Sequence, residues 1–360
     1  MSSVRGSVKQ IMRVVTEHAE VRARQLPRLL VSRVPPSRPP MIWYLCPDTN
    51  APTGGVRVIY RHVDLLNSVG IPAAVIHVRA GFSCTWFAHE TAVMSAADVV
   101  LSAADILVVP EYYGPSLGDL PAGVRVVIFN QNTYRTFAGR GATEAWRSCT
   151  RSKNLAAMVV VSRDNAQYAH YAFPGVRVVC VRDAVDGDLF RPADRPPGRT
   201  IGYMPRRRDA DARQVLDLLE MRGCTDNWEI VRIEGRTEEQ TAAVFRKCSI
   251  FLSFSEQEGF GMPPAEAMAS GCYVVGFTGL AGREFFEPHI CTPVEEGNVL
   301  AFAQAAERTM ADFENDPQTI RGRGLAASEL ICSQYSPKTQ LNELATFYAS
   351  LHSSELGVIQ

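Results

Sequence analysis

At 360 residues, 46% hydrophobic and 21% charged, the chain has the make-up of an ordinary globular protein and length enough for two domains. Its net charge of −1 excludes the strongly basic balance of a nucleic-acid binder. No run reaches the roughly 18 apolar residues of a membrane span, and the start lacks the unbroken apolar block of a signal peptide, so a cytoplasmic protein is expected. The nine cysteines form no C-x-x-C pair and are read as reduced, buried thiols.

Residues 1–40 form a basic extension, eight arginines and lysines against two glutamates, ending in the proline-rich stretch Pro35-Pro36-Ser37-Arg38-Pro39-Pro40. Val8, Ile11, Met12, Val15 and Val21 recur at roughly helical spacing. Two readings stand side by side: a helix touching anionic lipid at the inner face of a membrane, and a packed or solvated extension on a stiff linker. From Met41 the pattern alternates. Strand-like runs at Met41–Cys46, Ala73–Val78, Asp105–Val109, Val124–Phe129, Ala157–Val161 and Val176–Cys180 are separated by amphipathic stretches. One of these carries Val56, Ile59, Tyr60, Val63 and Leu66 and stops at Gly70. That defines a first domain over 41–192.

The segment Arg191–Gly198 reads as a linker. A second series follows over 200–335: strands Thr200–Met204, Trp228–Ile233, Ile250–Phe254 and Tyr273–Phe277, with helices through Val215, across Glu238–Cys248 and around Glu266. Residues 336–360 hold a terminal helix with an apolar stripe at Leu341, Leu344, Phe347, Tyr348 and Leu351, then a tail. Strands alternating with helices make parallel sheets covered on both faces.

In such sheets ligands bind beyond the carboxyl ends of the strands. The first loop of interest there, Asn50 to Val56, contains Gly54 and Gly55, which let backbone N–H groups approach a ligand. It is not G-x-G-x-x-G, and Gly70-Ile71-Pro72 occupies the region where a nicotinamide enzyme would carry its acidic residue, which speaks against an oxidoreductase. Arg206, Arg207 and Arg208 follow Thr200–Met204 and are suited to clamping a diphosphate. The sharpest segment is Ser253 to Cys272, in which Glu258, Gly259, Phe260, Gly261 and Met262 precede a small-residue helix carrying Glu266. Two carboxylates at one strand–helix corner can accept hydrogen bonds from a polyhydroxylated ligand, and free N–H groups near Gly261 can meet phosphate. A fourth glycine-rich turn runs from Thr278 to Glu284.

Glu258, seven residues, then Glu266, with Gly-Phe-Gly after the first glutamate, resembles the E-x7-E motif of glycosyltransferase family 4. The resemblance extends through Gly202–Arg207, Val185–Pro192, Gly279–Glu284 and the Gly54-Gly55 loop, covering about residues 41–335. It implies the GT-B fold: two Rossmann-like parallel-sheet domains facing each other across a cleft, with the C-terminal helix packing back on the first. It also implies a retaining hexosyl-type transfer from a nucleoside-diphosphate sugar to a hydroxyl of a glycan, glycolipid or small molecule. By that analogy Glu258 touches the transferred sugar, Glu266 the ribose, and Arg206 and Arg207 the diphosphate, helped by Gly55 and Gly261. Beyond the nucleotide sugar no cofactor is implied, and no metal.

Two departures from the family matter. It often has an Arg and a Lys several residues apart where this chain has adjacent arginines. It often places a histidine where this chain has Phe129-Asn130-Gln131-Asn132, so that Asn132 joins Glu258 and Arg206 as a candidate catalytic residue. His62 and His77 are read as structural. Asp186-Gly187-Asp188 spells a D-x-D, but no other carboxylate converges with it in sequence, and it is not read as a metal site. A sugar-nucleotide epimerase of the same layout, or a catalytically silent nucleotide-sugar-binding protein, remains open at this level.

Overall fold

The structure, a computed structural model, describes residues 23–34 and 36–353. The helical pattern of residues 8–21, and with it the membrane-contact reading, lies outside the described residues. The chain forms two compact units, one of residues up to 160 together with 169–179, the other of residues 161–168 together with 180 onward.

The first unit is built on a seven-stranded sheet of β2 (Ile42–Leu45), β3 (Ala73–His77), β4 (Val93–Ser95), β6 (Ile106–Pro110), β7 (Arg125–Asn130), β8 (Leu155–Val160) and β9 (Val178–Cys180). Their order is β4-β3-β2-β6-β7-β8-β9, with the registered pairs parallel. β2, β3 and β6 are buried at every residue, which is why they read as unbroken apolar runs. Helix α1 (Gly54–Ser68) turns Val56, Ile59, Tyr60, Val63 and Leu66 inward and stops at Gly70, whose φ of 77° suits glycine. Between β6 and β7 the chain uses a 3-10 segment, Glu111–Asp119, instead of a crossover α-helix. It packs on α2 (Ala142–Thr150), where Trp146 Nε1 donates to the carbonyl of Thr136 at 2.7 Å. His62 is fully buried beside Tyr44 and Phe129, and burial pushes it down to about 3, so it is a neutral core residue. His77 donates and accepts within a chain from Tyr60 OH (2.7 Å) to Asp48 (2.9 Å) that ties the ends of β2 and β3 to α1.

The stretch expected to be a linker belongs to this unit. β1 (Leu30–Ser32) pairs in parallel with β5 (Val100–Ser102), and Arg38 binds Asp105 through both terminal nitrogens, at 2.8 and 2.7 Å. Asp105 is fully buried and also accepts from Met41 N, Ser102 N and Ser102 Oγ. Burial alone would raise its pKa, but these hydrogen bonds outweigh it and hold the carboxyl below its ordinary value.

The second unit carries a five-stranded parallel sheet, order β11-β10-β12-β13-β14, from β10 (Thr200–Met204), β11 (Glu229–Arg232), β12 (Ile250–Glu258), β13 (Tyr273–Leu280) and β14 (Thr292–Val294). Around it lie α4 (Asp209–Met221), α5 (Glu238–Phe245), α6 (Met262–Ala269), α7 (Val299–Asn315), α8 (Pro317–Gln334) and α9 (Pro337–Ser353), while α3 (Arg163–Ala172) begins among its residues. Phe302 of α7 stacks on Phe254 at 4.6 Å and meets Phe277 edge-on at 5.0 Å, joining helix to sheet at the centre of the core. The terminal helix α9 groups with this unit, and Glu343 binds Arg182. β14, α7 and α8 are elements that the sequence pattern does not delimit.

Asp105→Ala is expected to cost about 1–3 kcal/mol in chemical denaturation, because it leaves the Met41 and Ser102 backbone donors without their acceptor and Arg38 with only the Pro39 and Val100 carbonyls. Stability from this group is present above the ordinary aspartate pKa and is lost as pH falls through the lower folded value. The variant's deficit should therefore shrink toward acid, and an unchanged denaturation midpoint at neutral pH would contradict the account.

Candidate active site

In each sheet the strand order reverses next to the strand that comes first in its unit's series. The reversal falls between β2 and β6 in the first unit and between β10 and β12 in the second. Diverging connections leave a crevice there, open at the carboxyl ends.

At the crevice of the second unit stand the turn after β10, with Arg206, Arg207 and Arg208, and the turn after β12, with Glu258 to Gly261. The structure brings Arg207 and Glu258 together, Nη1 to Oε1 3.0 Å, and Arg207 also donates to the carbonyl of Glu256 at 3.1 Å. Both side chains are about one-fifth exposed. β12 runs farther than its apolar stretch: Ser255 pairs with Thr278 and Glu258 with Leu280, so β12 holds one extra residue, a bulge that re-aims Glu258. Gln257 sits in that bulge with φ 44°.

Arg207 (φ 76°), Gln257 and Leu280 (φ 71°) are the non-glycine residues with positive φ among those described. Arg207 lies in the turn after β10, Gln257 in the bulge near the end of β12 and Leu280 at the end of β13, all toward the carboxyl edge of one sheet. Such backbone costs about 1–3 kcal/mol per residue and collects where a site over-determines the chain.

Arg208 turns elsewhere. It pairs with Asp211 at 2.8 Å and Glu296 at 3.2 Å and lies over the Phe277 ring at 4.8 Å. Glu296, which follows β14, uses its other oxygen to accept from Thr278 Oγ1 (3.1 Å) and Gly279 N (2.9 Å). One carboxylate thus joins the turn after β10 to the end of β13, and Arg208 is a strut. Arg206, ahead of both, is exposed.

Gly261 has φ 101° and is the N-cap of α6, and because Pro263 and Pro264 carry no N–H, the donors at this helix start are the backbone N–H groups of Gly261 and Met262. Phe260 is buried, its ring against Phe285 (5.2 Å) and Tyr335 (5.1 Å), so it anchors the turn and leaves only its backbone to a ligand. Gly259 is buried, Met262 half-buried at the first helical position, and Glu266 5% exposed one turn on. Near the end of β13, a side chain at Gly279 would meet Ser255 Cβ at 2.8 Å. Asp186 accepts from the backbone of Asp188 (3.0 Å) and Leu189 (3.3 Å), so the D-x-D is a capped turn. Among the described residues no three His, Cys, Asp or Glu side chains gather as a metal site would require.

Gly54, Gly55 and Asn132 lie at the crevice of the first unit. Gly55 lies against Gln131, whose Nε2 would be 3.2 Å from an added Cβ. Asn132 is nearly buried, and its Oδ1 accepts from Tyr134 N at 3.1 Å, capping a short 3-10 turn. Glu296 and Glu111 are the residues that reading the sequence does not single out, whereas Gln131 stands in the amide-rich stretch 129–132 that it does. Only the place of Glu111, directly after an apolar strand, could have flagged it.

The strut makes a quantitative expectation. Arg208→Ala and Glu296→Ala should each cost about 1.5–3 kcal/mol, and the double variant clearly less than their sum. Strict additivity in urea melts would remove the strut.

Residues 201–312 match the family Glycosyl transferases group 1. An α-1,6-glucosyltransferase of Actinobacillus pleuropneumoniae serotype 7 (strain AP76) is 28% identical over 290 residues, 76% of this chain and 84% of that protein. Among solved structures, sucrose-phosphate synthase (tll1590) of Thermosynechococcus elongatus superposes with a TM-score of 0.64 at 12% identity, covering 88% of this chain and 100% of that one. Anabaena Alr3699/HepE, solved with UDP and glucose, gives 0.65 at 13% identity, covering 86% and 99%. Residues 201–312, whose sheet holds Arg207 and Glu258, thus carry sequence similar to that family, and the chain has the GT-B fold of those structures.

Proposed function

We propose that the chain is a retaining, metal-independent transferase of the family 4 kind that moves glucose, or a hexose close to it, from UDP to an acceptor hydroxyl on a glycan, glycolipid or small glycoside. The observation that carries this reading is the pairing of Arg207 with Glu258 at the crevice of the second sheet, with strained backbone at Arg207, Gln257 and Leu280. A cation for the leaving diphosphate and a carboxylate for sugar hydroxyls stand side by side.

The chemistry follows from charge. Breaking the bond between sugar and diphosphate builds negative charge on the leaving oxygen. Arg206, Arg207 and the backbone N–H groups of Gly261 and Met262 stabilise it without a metal, most strongly when water is excluded. Glu258 accepts from hydroxyls of the transferred sugar and Glu266 from the ribose. The relatives support the donor: one is a glucosyltransferase and another holds UDP and glucose. An α-linked product formed from UDP-α-glucose keeps its configuration, which is retention.

The test is to incubate the protein with UDP-glucose and a panel of glycan and glycolipid acceptors, follow UDP release, and read the product's anomeric configuration by NMR. Glu258→Ala should fold normally and lose about 10–150-fold in turnover, the worth of a charged hydrogen bond. Arg206→Ala should weaken UDP binding in calorimetry, and EDTA should leave turnover intact. A β-linked product overturns retention. Full activity in Glu258→Ala overturns the assignment of the site.

A further inference from the structure

The crevice of the first unit carries a carboxyl group without an assigned role. Glu111 follows Pro110 directly at the end of β6, one of the two strands between which the order reverses. Its Oε2 accepts from the backbone N–H of Gln131 at 3.0 Å, and the backbone of Asn132 bonds to it as well. It thereby spans from the end of β6 to the turn after β7. That turn reaches the third strand end, because the Gln131 carboxamide lies against Gly55 at the start of α1. Just before it, Asn130 is fully buried and donates to Thr136 Oγ1 at 2.7 Å, while its Oδ1 is buried without a hydrogen-bond partner.

A carboxylate is a costly way to hold a turn. Burial pushes Glu111 up to about 7, against the hydrogen bonds it accepts and the charge of Arg24, whose Nε donates to the carbonyl of the next residue, Tyr112, at 2.7 Å. A turn with only a structural task needs no ionisable acceptor, since a serine or a water would satisfy two amide groups. The expense is understandable where the turn's position matters to chemistry.

Resting on the transferase reading above, we propose that Glu111 is a positioning residue for sugar transfer: it fixes the Gln131–Asn132 turn over Gly55, so that the Gln131 carboxamide is held as a hydrogen-bonding partner for a sugar hydroxyl at this crevice. Asn132, whose oxygen caps its own turn, then serves the geometry of Gln131.

The test uses the full chain with UDP-glucose as donor, and UDP alone as the probe of nucleotide binding. Glu111→Ala and Gln131→Ala should each lower kcat about 10- to 100-fold, as the loss of a transition-state hydrogen bond does. KM for UDP-glucose and the calorimetric Kd for UDP should stay within about twofold, since the proposed nucleotide seat is on the other unit. Glu111→Gln keeps a carbonyl oxygen for the Gln131 N–H and should restore kcat to within about threefold of the parent. The double alanine variant should be no worse than the poorer single one. Turnover near the parent level in Glu111→Ala or in Gln131→Ala overturns the proposal. So does a Glu111→Gln variant as slow as Glu111→Ala, which would mean that the charge acts directly. Should Glu111→Ala not fold, Gln131→Ala and Glu111→Gln decide. A parent protein that neither binds UDP nor consumes UDP-glucose defeats the transferase reading itself, a result distinct from any of these.

Discussion

Arg208 and Glu296 hold the candidate donor site in shape. A parallel sheet brings all its strand ends to one edge but does not say where the turns beyond that edge go. Here one carboxylate accepts from the last residues of β13 with one oxygen and from Arg208, in the turn after β10, with the other. The turn after β12 lies between these two, because β12 is the strand they flank. Pairing charges at this depth costs desolvation, and the arrangement offsets it by using both oxygens and by laying the guanidinium on Phe277.

The same strut explains how adjacent arginines divide their work. Arg208 is committed to Glu296 and Asp211, and the left-handed backbone at Arg207 lets its own side chain part from that neighbour and reach Glu258. The twist is what lets two adjacent arginines serve different carboxylates.

The sheets are legible wherever strands are covered on both faces, since burial alone writes an apolar run. Thr200–Met204 has the same bounds in sequence and structure, and β2, β3 and β6 differ from theirs by a residue or so. By apolar pattern β12 ends at Phe254, because the pairing that carries it to Glu258 runs through Ser255, Glu256 and Gln257, whose polarity imitates a loop. The proline-rich end of the 1–40 extension resembles a linker for a related reason: its prolines and arginines are visible, but the buried Asp105 that Arg38 binds stands 67 residues away. Sequence alone sets Arg208 in one basic run with Arg206 and Arg207 and shows no partner for it, because Glu296 lies 88 residues on. Residue types foretell which chemistry the site can hold. Which side chain does it, and which holds it still, depends on partners distant in sequence.

The path of the backbone has a consequence for how such enzymes can be rearranged. Helix α3 starts with residues of the second unit and finishes with residues of the first, and the chain returns to the second at Cys180. No single cut therefore yields two whole halves. A chain stopped at Val160 lacks the strand β9, and one begun at Val161 takes that strand with it. Swapping the second unit for that of a relative requires moving two separate stretches at once, with the helix between them kept in phase. A one-cut exchange of units is blocked by one short stretch, residues 161–168.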